Sequence, residues 1–383
     1  MRKLSVIGLL LLLLSGACSK APESSYRGKK MLQDKKIKID SLLIDADTTS
    51  MRGSFLLLDS SLIFVDQHYC AVYEFAVADG TLTNVYSRRG QGPDDMLGIM
   101  YGCKVAPQDT ALWIVDSSIG VFEMNMASDR GKPKHIGRIN FHWENADQTS
   151  YEGTALYNLL EMSDFGIKMC KIDDSTLLIP LSLINRKLSA IDSKRYKEGH
   201  IFGVVDIPSL DVKEVTGLFS ESFLKNPTPN FEFFDYDVDY SNGKVYVSFA
   251  PDSLIQCYDI SDLSKPLYYF GFEPNGINRE YTAGYKNREM LGQIWGHDIE
   301  KVGVNTGLYF DNTDKLLMRT SMTDFASGRT VLQIYRNDNL IGEYDLPPYF
   351  KILGRYGNRY YGVRFIPVET ADECNYTLYS FTL

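Results

Sequence analysis

Three carboxylates stand at alternate positions in Phe233-Phe234-Asp235-Tyr236-Asp237-Val238-Asp239-Tyr240. Alternation along a strand puts Asp235, Asp237 and Asp239 on one face, and oxygen ligands gathered that way suit Ca²⁺. Asp235 and Asp237 are therefore the candidate metal ligands, and a calcium-assisted hydrolase or lactonase is the chemistry they would serve. An EF-hand loop is excluded, because Tyr240 stands where that loop needs glycine and no glutamate follows at its twelfth position. The same alternation without a metal is a solvated acidic strand. The five histidines are His68, His135, His142, His200 and His297, and only His297-Asp298-Ile299-Glu300 sets one beside acids. The signatures H-E-x-x-H, G-x-S-x-G and G-x-x-x-x-G-K-[ST] do not occur, so zincin, α/β-hydrolase and P-loop chemistry lack their motifs.

Two insertions offer binding residues instead. Residues 185–200 carry Arg186, Lys187, Lys194, Arg195 and Lys197 against Asp192 and Glu198. That local excess of positive charge on an acidic chain suits docking to an acidic partner or a phospholipid surface, with Arg195 among the contacts. Residues 272–303 hold Tyr281, Tyr285 and Trp295 among basic side chains, a mix suited to stacking on a sugar or peptide.

These residues must be positioned by strands. Apolar strand cores begin at Leu62, Leu112, Leu177, Val245, Leu316 and Tyr360. After most of them come a turn and a second run, at Val72-Tyr73-Glu74-Phe75, Val121-Phe122-Glu123-Met124, Phe202-Gly203-Val204-Val205, Ile255-Gln256-Cys257-Tyr258, Leu332-Gln333-Ile334-Tyr335 and Tyr376-Thr377-Leu378-Tyr379. Asp79-Gly80, Asn242-Gly243 and Asp173-Asp174-Ser175 mark hairpin reversals. A small sheet cannot bury both faces alone, and radial repetition solves this. The expected fold is all-β, a six-bladed β-propeller of antiparallel blades over 37–383. Lys36-Ile37-Lys38-Ile39 is placed to give a strand to the last blade, and Phe233–Tyr240 becomes the innermost strand of the fourth. A pair of β-sandwiches is the competing arrangement.

Between the first two units the chain reads Tyr86-Ser87-Arg88-Arg89-Gly90-Gln91-Gly92-Pro93-Asp94-Asp95-Met96. Gly90, Gly92 and Pro93 resemble the glycine-rich connection of TolB-like and NHL-like six-bladed β-propellers, especially TolB-like lipoproteins of Bacteroidetes. Asp94-Asp95-Met96 departs from the more usual acidic-then-Phe ending. The resemblance implies the propeller and carries no chemistry, since one scaffold hosts many functions. Arg88 and Arg89 form a candidate anion-binding pair at the rim, or a turn whose arginines pair with neighbouring carboxylates.

The N-terminus reads as an address. Arg2 and Lys3 precede an apolar run from Leu4 to Leu14, too short to span a bilayer and laid out as an export signal. Its end, Leu14-Ser15-Gly16-Ala17-Cys18, resembles the bacterial lipobox, which implies cleavage after residue 17 and lipidation of Cys18. The expected organisation is thus a signal peptide at 1–17, a flexible tether at 18–36 and the propeller. Without the signal, 38 basic residues face 49 acidic ones, a balance of −11. That balance argues against nucleic acid as a partner. Five cysteines remain after Cys18 and no C-x-x-C occurs, which points to buried structural thiols.

The sequence therefore describes a lipid-anchored β-propeller of the cell envelope, expected at the outer membrane, that binds a ligand or assembles with an envelope protein. The alternatives are the calcium-assisted enzyme and a glycan-binding lipoprotein using Trp295 and Tyr285. No cofactor other than Ca²⁺ is suggested.

Overall fold

Runs of β-branched and aromatic residues broken by Asp, Asn, Gly and Ser fold as short strands, since those side chains fit a pleated, half-buried surface and the polar residues close the turns. A computed structural model describes residues 25–33, 36–86, 89–90, 96, 98–106, 109–126, 132–145, 153–160, 168–183, 193–282, 288–364, 368–369 and 374–383. They form six antiparallel sheets, each a blade of a β-propeller.

From the axis outwards, blade 1 is Gly53–Leu58, Ser61–Asp66, Ala71–Ala76 and Leu82–Tyr86, and blade 2 is Ile99–Cys103, Ala111–Asp116, Gly120–Asn125 and Lys134–Arg138. In blade 3, Tyr157–Leu159 and Cys170–Lys171 both pair with Thr176–Leu183, followed by His200–Asp206 and Val212–Leu218. Blade 4 is Phe234–Asp239, Lys244–Phe249, Ile255–Asp259 and Tyr268–Phe270, and blade 5 is Val304–Asp311, Leu316–Met322, Thr330–Arg336 and Asn339–Leu346. Blade 6 is Phe350–Tyr356, Arg359–Arg364 and Cys374–Phe381, completed by Ile39–Asp45 from the N-terminal side. Each of the six apolar cores read in the sequence is the second strand of a blade, and each following run is the third.

The ring closes where a strand was expected, but further along the chain. Ile39–Asp45 pairs antiparallel with the last strand, from Ile39 opposite Phe381 to Asp45 opposite Asn375. Ile37 packs beside Ile39 against the cluster between blades 5 and 6 instead of joining the ladder. Residues 25–33, inside the stretch expected to be a tether, lie along the outer blade edges. Ser25–Tyr26 pairs parallel with Tyr268–Phe270 of blade 4, and Met31 and Gln33 donate their amides to Leu340 and Ile341 of blade 5.

Hydrophobic burial runs between blades. Ile63 and Val65 meet Ile99 and Leu112 across blades 1 and 2, and Trp113 meets Leu177 and Val205 across 2 and 3. Leu178 and Phe202 meet Tyr236 and Val245 across 3 and 4, and Tyr246 meets Leu308 and Leu317 across 4 and 5. Met318 and Leu332 meet Phe350 and Tyr360 across 5 and 6, and Val363 and Tyr376 meet Phe64 and Phe75 across 6 and 1. Six contacts of this kind close a ring, and a pair of sandwiches would not produce them.

Many of the aspartates close turns. Asp66 accepts from the amides of Ser50, His68 and Tyr69, Asp116 from those of Ser118 and Gly120, and Asp259 from the amide and hydroxyl of Ser261. At the Asp79-Gly80 reversal, Gly80 has φ 74°, and a Cβ there would meet the Leu43 carbonyl at 2.7 Å.

The 272–303 insertion is not all loop. It contains a helix, Arg288–Asp298, whose apolar stripe is too thin to register as periodicity and which carries Gly292 and Gly296. Tyr281, Val302 and Val304 pack there with Phe231 and Phe233. The insertion thus covers the face where the innermost strands of blades 4 and 5 begin.

Candidate functional site in the central channel

Pairing along Phe234–Asp239 turns Asp235 and Asp237 the same way, as alternation predicts. The innermost strand of blade 5 runs beside them. Asp235 Oδ2 accepts the Leu308 amide at 2.8 Å and Asp237 Oδ2 accepts the Phe310 amide at 2.9 Å. Each carboxylate also accepts the amide of the next residue in its own strand, Tyr236 or Val238, at 2.8 Å. The two aspartates therefore stitch blade 4 to blade 5 at the wall of the channel.

The cation between them is a lysine. Lys168, from blade 3, places Nζ 3.4 Å from Asp235 Oδ1 and 3.4 Å from Asp237 Oδ2, and it donates to the Leu308 carbonyl as well. Burial would lower the Lys168 pKa, but the two carboxylates hold it above its ordinary value. Burial raises the Asp237 pKa, and Lys168 and the Phe310 amide work against that. Asp239 does not join the pair. Its carboxylate accepts from Ser241 and Asn242 and closes the turn to the next strand. Among the described residues, no three His, Cys, Asp or Glu side chains stand together as metal ligands.

Below this knot lies a cavity of about 470 Å³, within the range of small-molecule sites. All six blades contribute to it, with Leu57 from blade 1, Lys104 and Val105 following the inner strand of blade 2, Lys168 and Cys170 from blade 3, Asp237 and Tyr240 from blade 4, Tyr309 from blade 5, and Lys351 and Leu353 from blade 6. Turn residues Asp59, Thr313 and Gly357 also line it, so it opens where the innermost strands end, opposite the helical insertion.

The charges of the wall are paired, with one exception. Arg355 Nη1 lies 2.8 Å from Asp311 Oδ2 and 2.6 Å from Asp314 Oδ2, and Tyr360 donates to Asp311 at 2.7 Å. Lys104 Nζ is 4.0 Å from Asp59 Oδ1. Lys351, partly buried in the innermost strand of blade 6, has no hydrogen-bond or ion-pair partner among the described residues. Burial lowers its pKa to about 8; Asp235 opposes that shift and Lys168 adds to it. Cys103 and Cys170 line the same cavity as free thiols, and burial pushes the Cys103 pKa up to about 12.

The other sequence candidates lie elsewhere. Arg195 sits on a short helix, Ser193–Glu198, and is buried. Its Nη2 meets Glu232 Oε2 at 2.5 Å, and Tyr196 donates to the other oxygen of Glu232 at 2.5 Å. Arg195 therefore joins blade 3 to the approach to blade 4 and is not presented for docking. Trp295 is 40% exposed and tilts over Phe231, with ring centroids 5.4 Å apart, on the face away from the cavity mouth. Gly90 donates its amide to the Met96 carbonyl at 3.4 Å, and Arg89 forms a bridge with Met96. Cys18, Arg88, Gly92, Pro93 and Tyr285 lie outside the described residues. Lys168 and Lys351 were missed in the sequence. Lys351 has the one available signal, a lysine inside the apolar run Phe350-Lys351-Ile352-Leu353.

Six radial blades around a lined channel define the class of protein, a six-bladed β-propeller. In solved structures the chain is similar to a member of the DUF4221 family from Bacteroides vulgatus, at 11% identity and a TM-score of 0.62, covering 91% of this chain and 98% of that one. It is also similar to a protein of Bacteroides fragilis designated an exported protein, at 13% identity and a TM-score of 0.50, covering 93% of this chain and 99% of that one. These likenesses establish the fold. No family model matches the chain and no curated protein matches it. Among the described residues no helix is long and apolar enough to cross a membrane.

Proposed function

We propose that the protein is a non-catalytic binding module of the cell envelope, anchored at the outer membrane by a lipid on Cys18, that receives a small molecule in its central cavity. The observation that carries this reading is the cavity itself, open at one face, lined from every blade and holding a lysine without a partner among the described residues. Lys168 fills the position between Asp235 and Asp237, so the geometry favours a structural role for those carboxylates over a calcium site. Anchoring is supported by the charged-then-apolar N-terminus ending at Cys18 and by likeness to a protein designated as exported. The blade pattern with Gly90, Gly92 and Pro93 supports kinship with TolB-like lipoproteins.

Native mass spectrometry of the protein purified from its own membranes tests the binding role. One additional small-molecule mass per chain is expected, and an empty chain joined to a stoichiometric second protein would instead favour assembly. Cys18→Ser is expected to move the protein from the membrane fraction to the soluble one. Retention in the membrane would overturn the lipid anchor.

A further inference from the structure

The cavity wall says what kind of molecule it takes. Its aliphatic and aromatic side chains, Leu57, Leu353 and Tyr309 among them, offer an apolar body a surface to displace water from. Its cations other than Lys351 have carboxylates beside them, with Lys168 held by two carboxylates and a carbonyl, Arg355 held by Asp311 and Asp314, and Lys104 lying 4.0 Å from Asp59. Among the described residues Lys351 is the one cation of the wall with no carboxylate at ion-pair distance, and it stands where water is partly excluded. An ammonium in that setting lacks both full hydration and a counter-charge. A ligand that brings an anionic oxygen supplies the missing partner, and the charge-assisted hydrogen bond it forms is of the stronger kind.

We propose that the channel cavity binds a small organic monoanion with an apolar body, a carboxylate in the simplest case, with the Lys351 ammonium as its charge partner. This rests on the reading of the cavity as a ligand site and specifies its ligand class. The nearby negative charge does not defeat it, because Asp235 and Asp237 are engaged by Lys168 and four backbone amides. A cationic ligand would meet Lys351 and Lys168 together. A neutral sugar would leave Lys351 without a counter-charge.

The test is calorimetric titration of the purified protein with decanoate and with decanol, which share an apolar chain and differ in charge. Decanoate is expected to bind one per chain and about 10- to 100-fold more tightly than decanol, the difference a hydrogen-bonded charge makes. Lys351→Met is expected to abolish that discrimination while leaving decanol binding unchanged, and Lys351→Arg to retain most of it. Because Lys351→Met removes a desolvated charge without a partner, its melting temperature should equal or exceed that of the parent. Equal affinity for the two probes in the parent protein would overturn the charge assignment and leave the cavity reading standing. Binding of neither probe would overturn the ligand class, and a small molecule still found on the native protein would then show that the cavity reading survives.

Discussion

Replacing Lys168 by methionine isolates the electrostatics on which the channel depends. The substitution keeps most of the side chain's length and removes one positive charge from between two carboxylates. Removing one partner of a fully buried pair costs about 3–5 kcal/mol. Here the side chains are 31%, 20% and 17% exposed for Lys168, Asp235 and Asp237, and each aspartate keeps two backbone amide donors. Both facts reduce the penalty, to about 2 kcal/mol at pH 7. The sign of its pH dependence follows from Asp237, whose pKa burial already raises and from which Lys168 would be withdrawn. In Lys168→Met the folded chain holds a proton there that the unfolded chain does not, so its stability falls as pH rises through the elevated value. The deficit relative to the parent should therefore be greatest at pH 7–8 and shrink towards pH 5. Thermal melts of both proteins across that range measure it. Equal stability at pH 7, or a deficit that does not change with pH, would refute the placing of Lys168 as the cation of this site.

Other consequences are open to the same measurement. The melting temperature of the parent protein should not respond to EDTA or Ca²⁺, because a ligand confined to the folded state would shift it and the position between the carboxylates is filled; a rise with Ca²⁺ would restore the metal reading. Ile44→Ala, in the strand that closes the ring and fully buried, should cost about 2–5 kcal/mol in denaturant unfolding, and a cost near zero would mean that closure contributes little. Arg195→Met strands Glu232 and should destabilise by roughly 3 kcal/mol, a loss of folding that a melt separates from any loss of docking. Asp79, Asp206, Asp259 and Asp262 are held below the ordinary carboxylate range by hydrogen bonds from Thr81, Ser209, Ser261 and Ser264. Their contribution is present above the unfolded carboxylate pKa and is lost as pH falls below about 4, so unfolding there should take up protons.

The blades were legible because their second and third strands are buried on both faces, which writes apolar runs such as Leu62-Ile63-Phe64-Val65 into the sequence. The innermost strands were harder to read. They line the channel, so polar and apolar residues mix in them, as in Phe350-Lys351-Ile352-Leu353, and only the fourth was located, through its aspartates. Alternation correctly put Asp235 and Asp237 on one face. It could not reveal Lys168, which lies 67 residues upstream of Asp235 and reaches the pair only when blade 3 closes against blade 4. Arg195 read as surface charge because its partner, Glu232, is 37 residues away. The helix Arg288–Asp298 escaped notice because it packs through few apolar positions, Ile294 among them.

The titration of the two channel lysines is the most direct test of this account. In protein carrying ¹³C at the lysine ε-carbons, with signals assigned by Lys351→Arg and Lys168→Met, NMR reports each pKa. Lys351 is expected to titrate at about 8 and to shift upward when decanoate is added, while Lys168 stays charged beyond pH 10. If both lysines titrated together near the ordinary value of about 10.4 and neither responded to decanoate, the channel would be an open, water-filled passage and Lys351 no ligand's partner.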